Sequence, residues 1–214
     1  MKKKSAITLL LIICLTGAYA QNENNRSVKT TWGLKAEMNL SGFIVSGTSV
    51  VTSDMKLGGS GGGFVNFEFT NHWALRGELL FHYRASGMEI QWMTNEFQYW
   101  GVQIPMYAVY QWNFNRGGRV YAGLGPYAEF GFSARLKREG EKMDLYEKDG
   151  ATEISAMKDS DIGFGMMVGY EFANGIQINA SYKIGVANIL DANSSIFKMM
   201  PHAASLGLGY RFGK

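Results

Sequence analysis

The sequence predicts an all-β chain: an eight-stranded antiparallel up-and-down transmembrane β-barrel with short periplasmic turns and long extracellular loops. Three observations carry this. Apolar and polar side chains alternate with period two from one end of the chain to the other, which is strand periodicity and not helical spacing. Connections alternate between very short and long, so the short ones fall at one end of the strands and the long ones at the other. Large aromatic residues collect beside the short turns, where a membrane-spanning barrel carries an interfacial girdle.

The first strand, over 31–42, sets Trp32, Leu34, Ala36, Met38 and Leu40 against Lys35, Glu37 and Asn39. The second, 59–70, sets Val65, Phe67 and Phe69 against Asn66 and Glu68, and a turn at Asn71-His72 leads to the third, 73–86. There Leu75, Leu79, Phe81 and Tyr83 lie opposite Arg76, Glu78, Leu80 and His82. The fourth, 97–112, carries Trp100, Val102, Ile104, Met106, Ala108, Tyr110 and Trp112 opposite Gln103, Tyr107 and Gln111. Pro105 in its middle cannot donate to a ladder, so a bulge is expected there. The fifth, 119–135, alternates Val120, Ala122, Leu124, Ala128, Phe130 and Phe132 with Gly123, Tyr127, Glu129, Gly131 and Arg135.

The stretch 161–189, DIGFGMMVGYEFANGIQINASYKIGVANI, is two strands about Asn174-Gly175, the strongest two-residue hairpin signal. The eighth strand ends in Leu206, Leu208, Tyr210 and Phe212 interleaved with Ser205, Gly207, Gly209 and Arg211. Long connections are expected over 43–58, 87–96, 136–160 and 190–197, with both termini at the short-turn end.

The alternation leaves open which face meets water. Were the apolar face inward, an eight-stranded barrel would have to enclose many large aromatics in little room, and its outside would carry only one or two charges per strand. With the apolar face outward, small residues fill the narrow interior. Trp32, Phe69, Trp73, Tyr110, Trp112, Tyr170, Phe172, Tyr210 and Phe212 then form one periplasmic girdle. The outward arrangement is the one the sequence supports.

The first twenty of the 214 residues read as a cleaved secretory signal peptide: Lys2, Lys3 and Lys4, an apolar run from Ala6 to Leu15, and Ala18-Tyr19-Ala20 as the cleavage site. Residues 21–214 then make one barrel domain in the bacterial outer membrane. The only cysteine, Cys14, lies in the signal, and the bulky Ile13 before it argues against a lipid anchor. Without the three signal lysines, basic and acidic residues are equal at 18 each. No basic patch then remains for nucleic acid, and no mature segment reaches the roughly 20 apolar residues of a spanning helix.

The segments WGLKAEMNLSGF, GGGFVNFEFTNHWALRGELLFHYRASGMEI, FQYWGVQIPMYAVYQW, RVYAGLGPYAEFGF, DIGFGMMVGYEF and ASYKIGVANI resemble successive strands of the PorT-like outer-membrane β-barrel domain, over nearly all of 32–212. The resemblance implies the same barrel and permits a link to secretion or gliding machinery. In this chain Gly213 and Lys214 follow Phe212, a departure from the terminal aromatic that barrel-insertion machinery usually reads.

Strand parity brings Lys35, Arg76, Arg135, Lys183 and Arg211 into the lumen with Glu37, Glu68, Glu78, Glu129 and Glu171. Each needs a partner to offset its desolvation, so the expected arrangement is a packed ion-pair plug. The sharper alternative is a narrow ion path. Of the three histidines, His72 falls in a turn, His82 points inward near the outer rim, and His202 faces lipid near the outer leaflet. No serine and carboxylate of matching parity accompany His202, so no catalytic residue is assigned.

GGSGGG, residues 58–63, lacks the lysine of a phosphate loop and is expected at the rim of a curved strand. The connection 136–160 carries five basic and seven acidic residues, a solvated loop suited to lipopolysaccharide or a partner protein. Neither cofactor nor metal is expected. The role expected is structural or interaction-based, through the extracellular loops. An accessory component of an envelope protein-secretion assembly and a lipid-A-modifying barrel enzyme are the alternatives. The expected partners are outer-membrane lipid and lipopolysaccharide, barrel-insertion machinery during biogenesis, and an envelope protein.

Overall fold

Nine antiparallel strands form one closed sheet in the computed structural model, which describes residues 28–46, 51–90, 93–115, 117–138, 141–144, 159–186 and 198–213. They are β1 (Lys29–Ser46), β2 (Val51–Glu68), β3 (Trp73–Ile90), β4 (Met93–Asn113), β5 (Arg119–Arg138), β6 (Glu141–Asp144), β7 (Ser160–Glu171), β8 (Ile176–Gly185) and β9 (Lys198–Phe212). Eight of them close the barrel: each pairs with the next, β5 pairs with β7, and β9 returns to β1. The ninth, β6, is a four-residue appendage that pairs only with the end of β5. The expected signal segment and the expected connection over 190–197 lie outside the described residues.

Side chains obey the alternation. Along β7 and β8 nearly every second residue is buried, and apart from Met167 the buried ones are glycine, polar or charged. Leu124 and Leu206 on the outer face are each 69% exposed, whereas Tyr107 on the inner face is 0% exposed. This is the reverse of a water-soluble barrel. Exposed Leu, Ile, Met and Phe circle the middle of the wall, as an outer surface in contact with acyl chains requires.

Aromatic rings close the apolar band at the short-turn end. Trp32 packs on Phe212 at 4.5 Å, Trp73 on Tyr110 at 4.9 Å, Tyr110 on Trp112 at 4.7 Å and Tyr170 on Phe172 at 4.8 Å. At the other end Tyr83 meets Trp100 at 4.9 Å. Trp73 and Tyr83 stand ten residues apart on one strand. At about 3.3 Å per residue and a tilt near 40° that separation is about 25 Å along the barrel axis, the height of an outer-membrane apolar band.

Interior size is set by glycine facing tyrosine. A Cβ on Gly163 would lie 2.6 Å from the Tyr127 ring, one on Gly165 3.0 Å from the Tyr107 hydroxyl, and one on Gly169 2.5 Å from the Tyr121 hydroxyl. The alternate glycines of β7 therefore leave room for three rings projecting from β4 and β5. Small residues fill only part of the lumen; these rings, Phe64, Met167 and the buried charged and amide side chains fill the rest.

Four expectations need correction. Residues 43–58 and 87–96 are mostly strand, not loop: β1 stays paired with β9 out to Ser46↔Lys198, β2 with β3 out to Val51↔Ile90 and β3 with β4 out to Ile90↔Met93, because a ladder needs no apolar face once it has passed the membrane band. GGSGGG consequently lies in the middle of β2, where a Cβ on Gly62 would run into the Leu79 carbonyl. Pro105 causes no register shift; its ring is buried and the ladder merely skips its missing donor. The bulge lies instead at Trp100–Gly101, where β5 spends one extra residue between Gly131 and Ser133, and a second falls between Met55 and Gly59.

Candidate functional site

Among the described residues, charged side chains concentrate away from water in the interior, and strand parity delivers them there in three connected tiers. In the middle tier Glu78 receives Lys35 at 3.1 Å and Arg76 at 2.7 Å, and Lys35 also meets Glu37 at 2.7 Å. Lys183 of β8 approaches Glu37 of β1 at 3.7 Å, past the intervening β9. The Arg76 guanidinium lies 3.8 Å over the Phe64 ring, so its flat face is covered by apolar surface while its edge is spent on ion pairs.

Nearer the short turns, Glu171 gathers Arg211 at 2.6 Å and Arg119 at 3.0 Å, and Arg119 also binds Glu68 at 2.7 Å. Toward the other end, Glu129 accepts from Arg84 at 2.8 Å and from the Gln103 amide at 2.7 Å, with the His82 imidazole 3.3 Å away. The Tyr127 hydroxyl donates to Asp161 at 3.0 Å.

Two glutamines join the tiers. Gln177 accepts from Arg76 at 3.1 Å and donates to Glu171 at 2.6 Å; Gln103 accepts from Lys183 at 2.6 Å and donates to Glu129. An amide serves here because it offers a donor and an acceptor on one planar group. The result is a continuous network from one mouth toward the other. Six cations (Lys35, Arg76, Arg84, Arg119, Lys183 and Arg211) face six carboxylates (Glu37, Glu68, Glu78, Glu129, Asp161 and Glu171), all buried or nearly so. Equal numbers matter, because an unmatched charge at this depth costs several kcal/mol.

Nine of the ten residues assigned to the lumen by parity lie on the inner wall, and Arg135 does not. The β5 bulge inserts one residue and reverses the alternation, so Ala134 is buried and Arg135 is exposed outside. Its place is taken by Arg84 and Arg119, and Asp161 joins the acids. Parity with His82, Gly123 and Gly163 respectively carried that signal. His72 is exposed in its turn with its ring stacked on Tyr110, and His202 is half-buried on the outer wall with Nδ1 3.5 Å from the Tyr182 hydroxyl. Ser205 is buried on the other face. Among the described residues no cluster of His, Cys, Asp or Glu is arranged to hold a metal ion.

A closed antiparallel barrel of eight strands, apolar outside and ion-paired inside, defines a bacterial outer-membrane β-barrel protein. The chain belongs to the outer membrane protein beta-barrel domain family, whose model matches residues 19–191. Among solved structures it is similar to the outer membrane protein OprG from Pseudomonas aeruginosa, at 12% identity and a TM-score of 0.53, covering 88% of this chain and 98% of that one. Neisserial surface protein A is similar at 12% identity and a TM-score of 0.49, covering 86% and 99%. Ail, the attachment invasion locus protein of Yersinia pestis, is similar at 18% identity and a TM-score of 0.44, covering 86% and 99%. None of the curated proteins matches it in sequence.

Proposed function

We propose that the protein is a non-conducting outer-membrane barrel with a structural or interaction role, exerted through its extracellular end. The observation that carries this is the cross-linked lumen: Arg76 of β3 reaches Gln177 of β8 on the facing wall, and Lys183 of β8 reaching Gln103 of β4 and Glu37 of β1 leaves no straight bore. Ion pairs of this kind rigidify the wall without needing a ligand. A filled barrel presents its extracellular hairpins as a fixed scaffold, which is what an interaction role with lipopolysaccharide or an envelope protein requires. The purified protein in planar bilayers is expected to show no conductance; discrete, reproducible single-channel steps would overturn the plug and revive the ion path.

The resemblance of the strands to the PorT-like domain favours a second reading, an accessory component of an envelope protein-secretion assembly. Crosslinking in intact cells followed by purification separates the two, because a stoichiometric secretion partner is expected only on the second. A role without catalysis fits the one outward histidine, whose ring neighbour is a tyrosine and not a carboxylate. Mass spectrometry of lipid A with and without the protein is expected to show the same acyl chains; any change in their number would make this an enzyme.

A further inference from the structure

We propose that the lipid-facing wall carries a docking groove for one acyl chain of a periplasmic-leaflet phospholipid. Outward residues on β5 and β8 are small in one row, Ala122 and Ala180, and Ala108 on β4 is small one pair further along, opposite Leu124, while Trp73, Tyr110 and Tyr182 stand around them. Together they bound a groove of about 640 Å³ with an apolar lining, within the size range of ligand sites. The register makes its floor continuous: Tyr110 lies opposite Ala122, Ala122 opposite Val168, and Val168 opposite Ala180.

Length and depth select the occupant. From Trp73 on β3 to Ala180 on β8 the row crosses four inter-strand spacings, about 19 Å in all. It runs perpendicular to strands tilted near 40°, so it rises only about 12 Å along the membrane normal, less than the ~15 Å half-thickness of the hydrocarbon core. One tilted acyl chain fits that path. A transmembrane helix needs contact over about 30 Å, longer than this path.

The groove starts in the girdle at the short-turn end, where Trp73 and Tyr110 meet edge to face and His72 stacks on Tyr110 at 5.7 Å. A chain lying in it places its glycerol and headgroup among those interfacial rings. This end faces the periplasm, so the source is a phospholipid and not the glycolipid of the outer leaflet. Lipid tails are as apolar as the wall, so the gain comes from packing: the floor otherwise lacks atoms at contact distance.

Native mass spectrometry of the full barrel, reconstituted with phosphatidylethanolamine and extracted in mild detergent, tests this. The wild type is expected to retain one phospholipid, and the double variant Ala122→Leu/Ala180→Leu, which fills the floor, to lose roughly fivefold in retention. Ala36→Leu, outward on the opposite wall, is expected to retain it fully. All new methyl groups point at lipid, so heat-modifiable migration on gels should persist; if the double variant fails to fold, Ala122→Val carries the same comparison. Equal retention by the filled variant, absence of lipid on the wild type, or loss of a dimer on filling would overturn the proposal.

Discussion

Glu78 illustrates what a single inward position must satisfy. Its side chain has no contact with solvent and holds Lys35 and Arg76 at once. Glu78→Leu would leave two buried cations sharing the remaining acids, at a cost of roughly 3–5 kcal/mol; the denaturant midpoint for folding into lipid vesicles reads this directly. Glycines divide in the same way. At Gly125 a Cβ would run into the Met106 carbonyl, whereas at Gly77 nothing lies within 4 Å. Gly125→Ala is therefore expected to destabilise by about 1–3 kcal/mol, and Gly77→Ala to stay within about 0.5 kcal/mol of the wild type. Equal effects at the two glycines would contradict the tight approach of β4 to β5.

At the level of the strand, β5 shows how one inserted residue reassigns function between arginines. Below the bulge the alternation holds and Glu129 faces inward; above it Arg135 faces out, and Arg84 on β3 supplies the cation that Glu129 needs. Arg84→Leu is expected to lower the folding midpoint markedly, because it strips an ion-pair partner from a buried carboxylate. Arg135→Leu should leave stability within about 0.5 kcal/mol. The reverse order would place Arg135 in the lumen after all.

Much of the site could be read from β1, β3, β7 and β8, because an uninterrupted strand keeps its parity and Lys35, Glu37, Arg76, Glu78, Glu171 and Lys183 follow from it. Arg135 could not be placed, because a bulge has no reliable sequence mark and shifts every residue beyond it. The partners could not be read at all. That Lys183 reaches Gln103 across the barrel depends on how far apart the two walls stand.

For the whole molecule, the height of the apolar band makes an independent prediction. Trp32, Trp73 and Trp112 lie in one girdle and Trp100 in the other, while the apolar middle of the wall carries aliphatic and phenyl side chains. In single-tryptophan variants, fluorescence quenching by brominated lipids should be strongest for bromines near the headgroups at all four positions. Strongest quenching by bromines at the bilayer centre would place the barrel at the wrong depth. The strands β1 to β5, at 18 to 21 residues, rise well past the 12 of β7 and the 10 of β8. Among the described residues the wall beyond the band is thus uneven.

Period-two alternation, turn chemistry and aromatic placement by themselves determined a closed antiparallel barrel with its apolar side toward lipid, because each acts between neighbours in the chain or across one turn. The tertiary structure alone decided which charges pair, which tyrosine fills the space over which glycine, and where bulges reverse a strand. Those depend on distances across the lumen, which are fixed only when the last strand closes on the first.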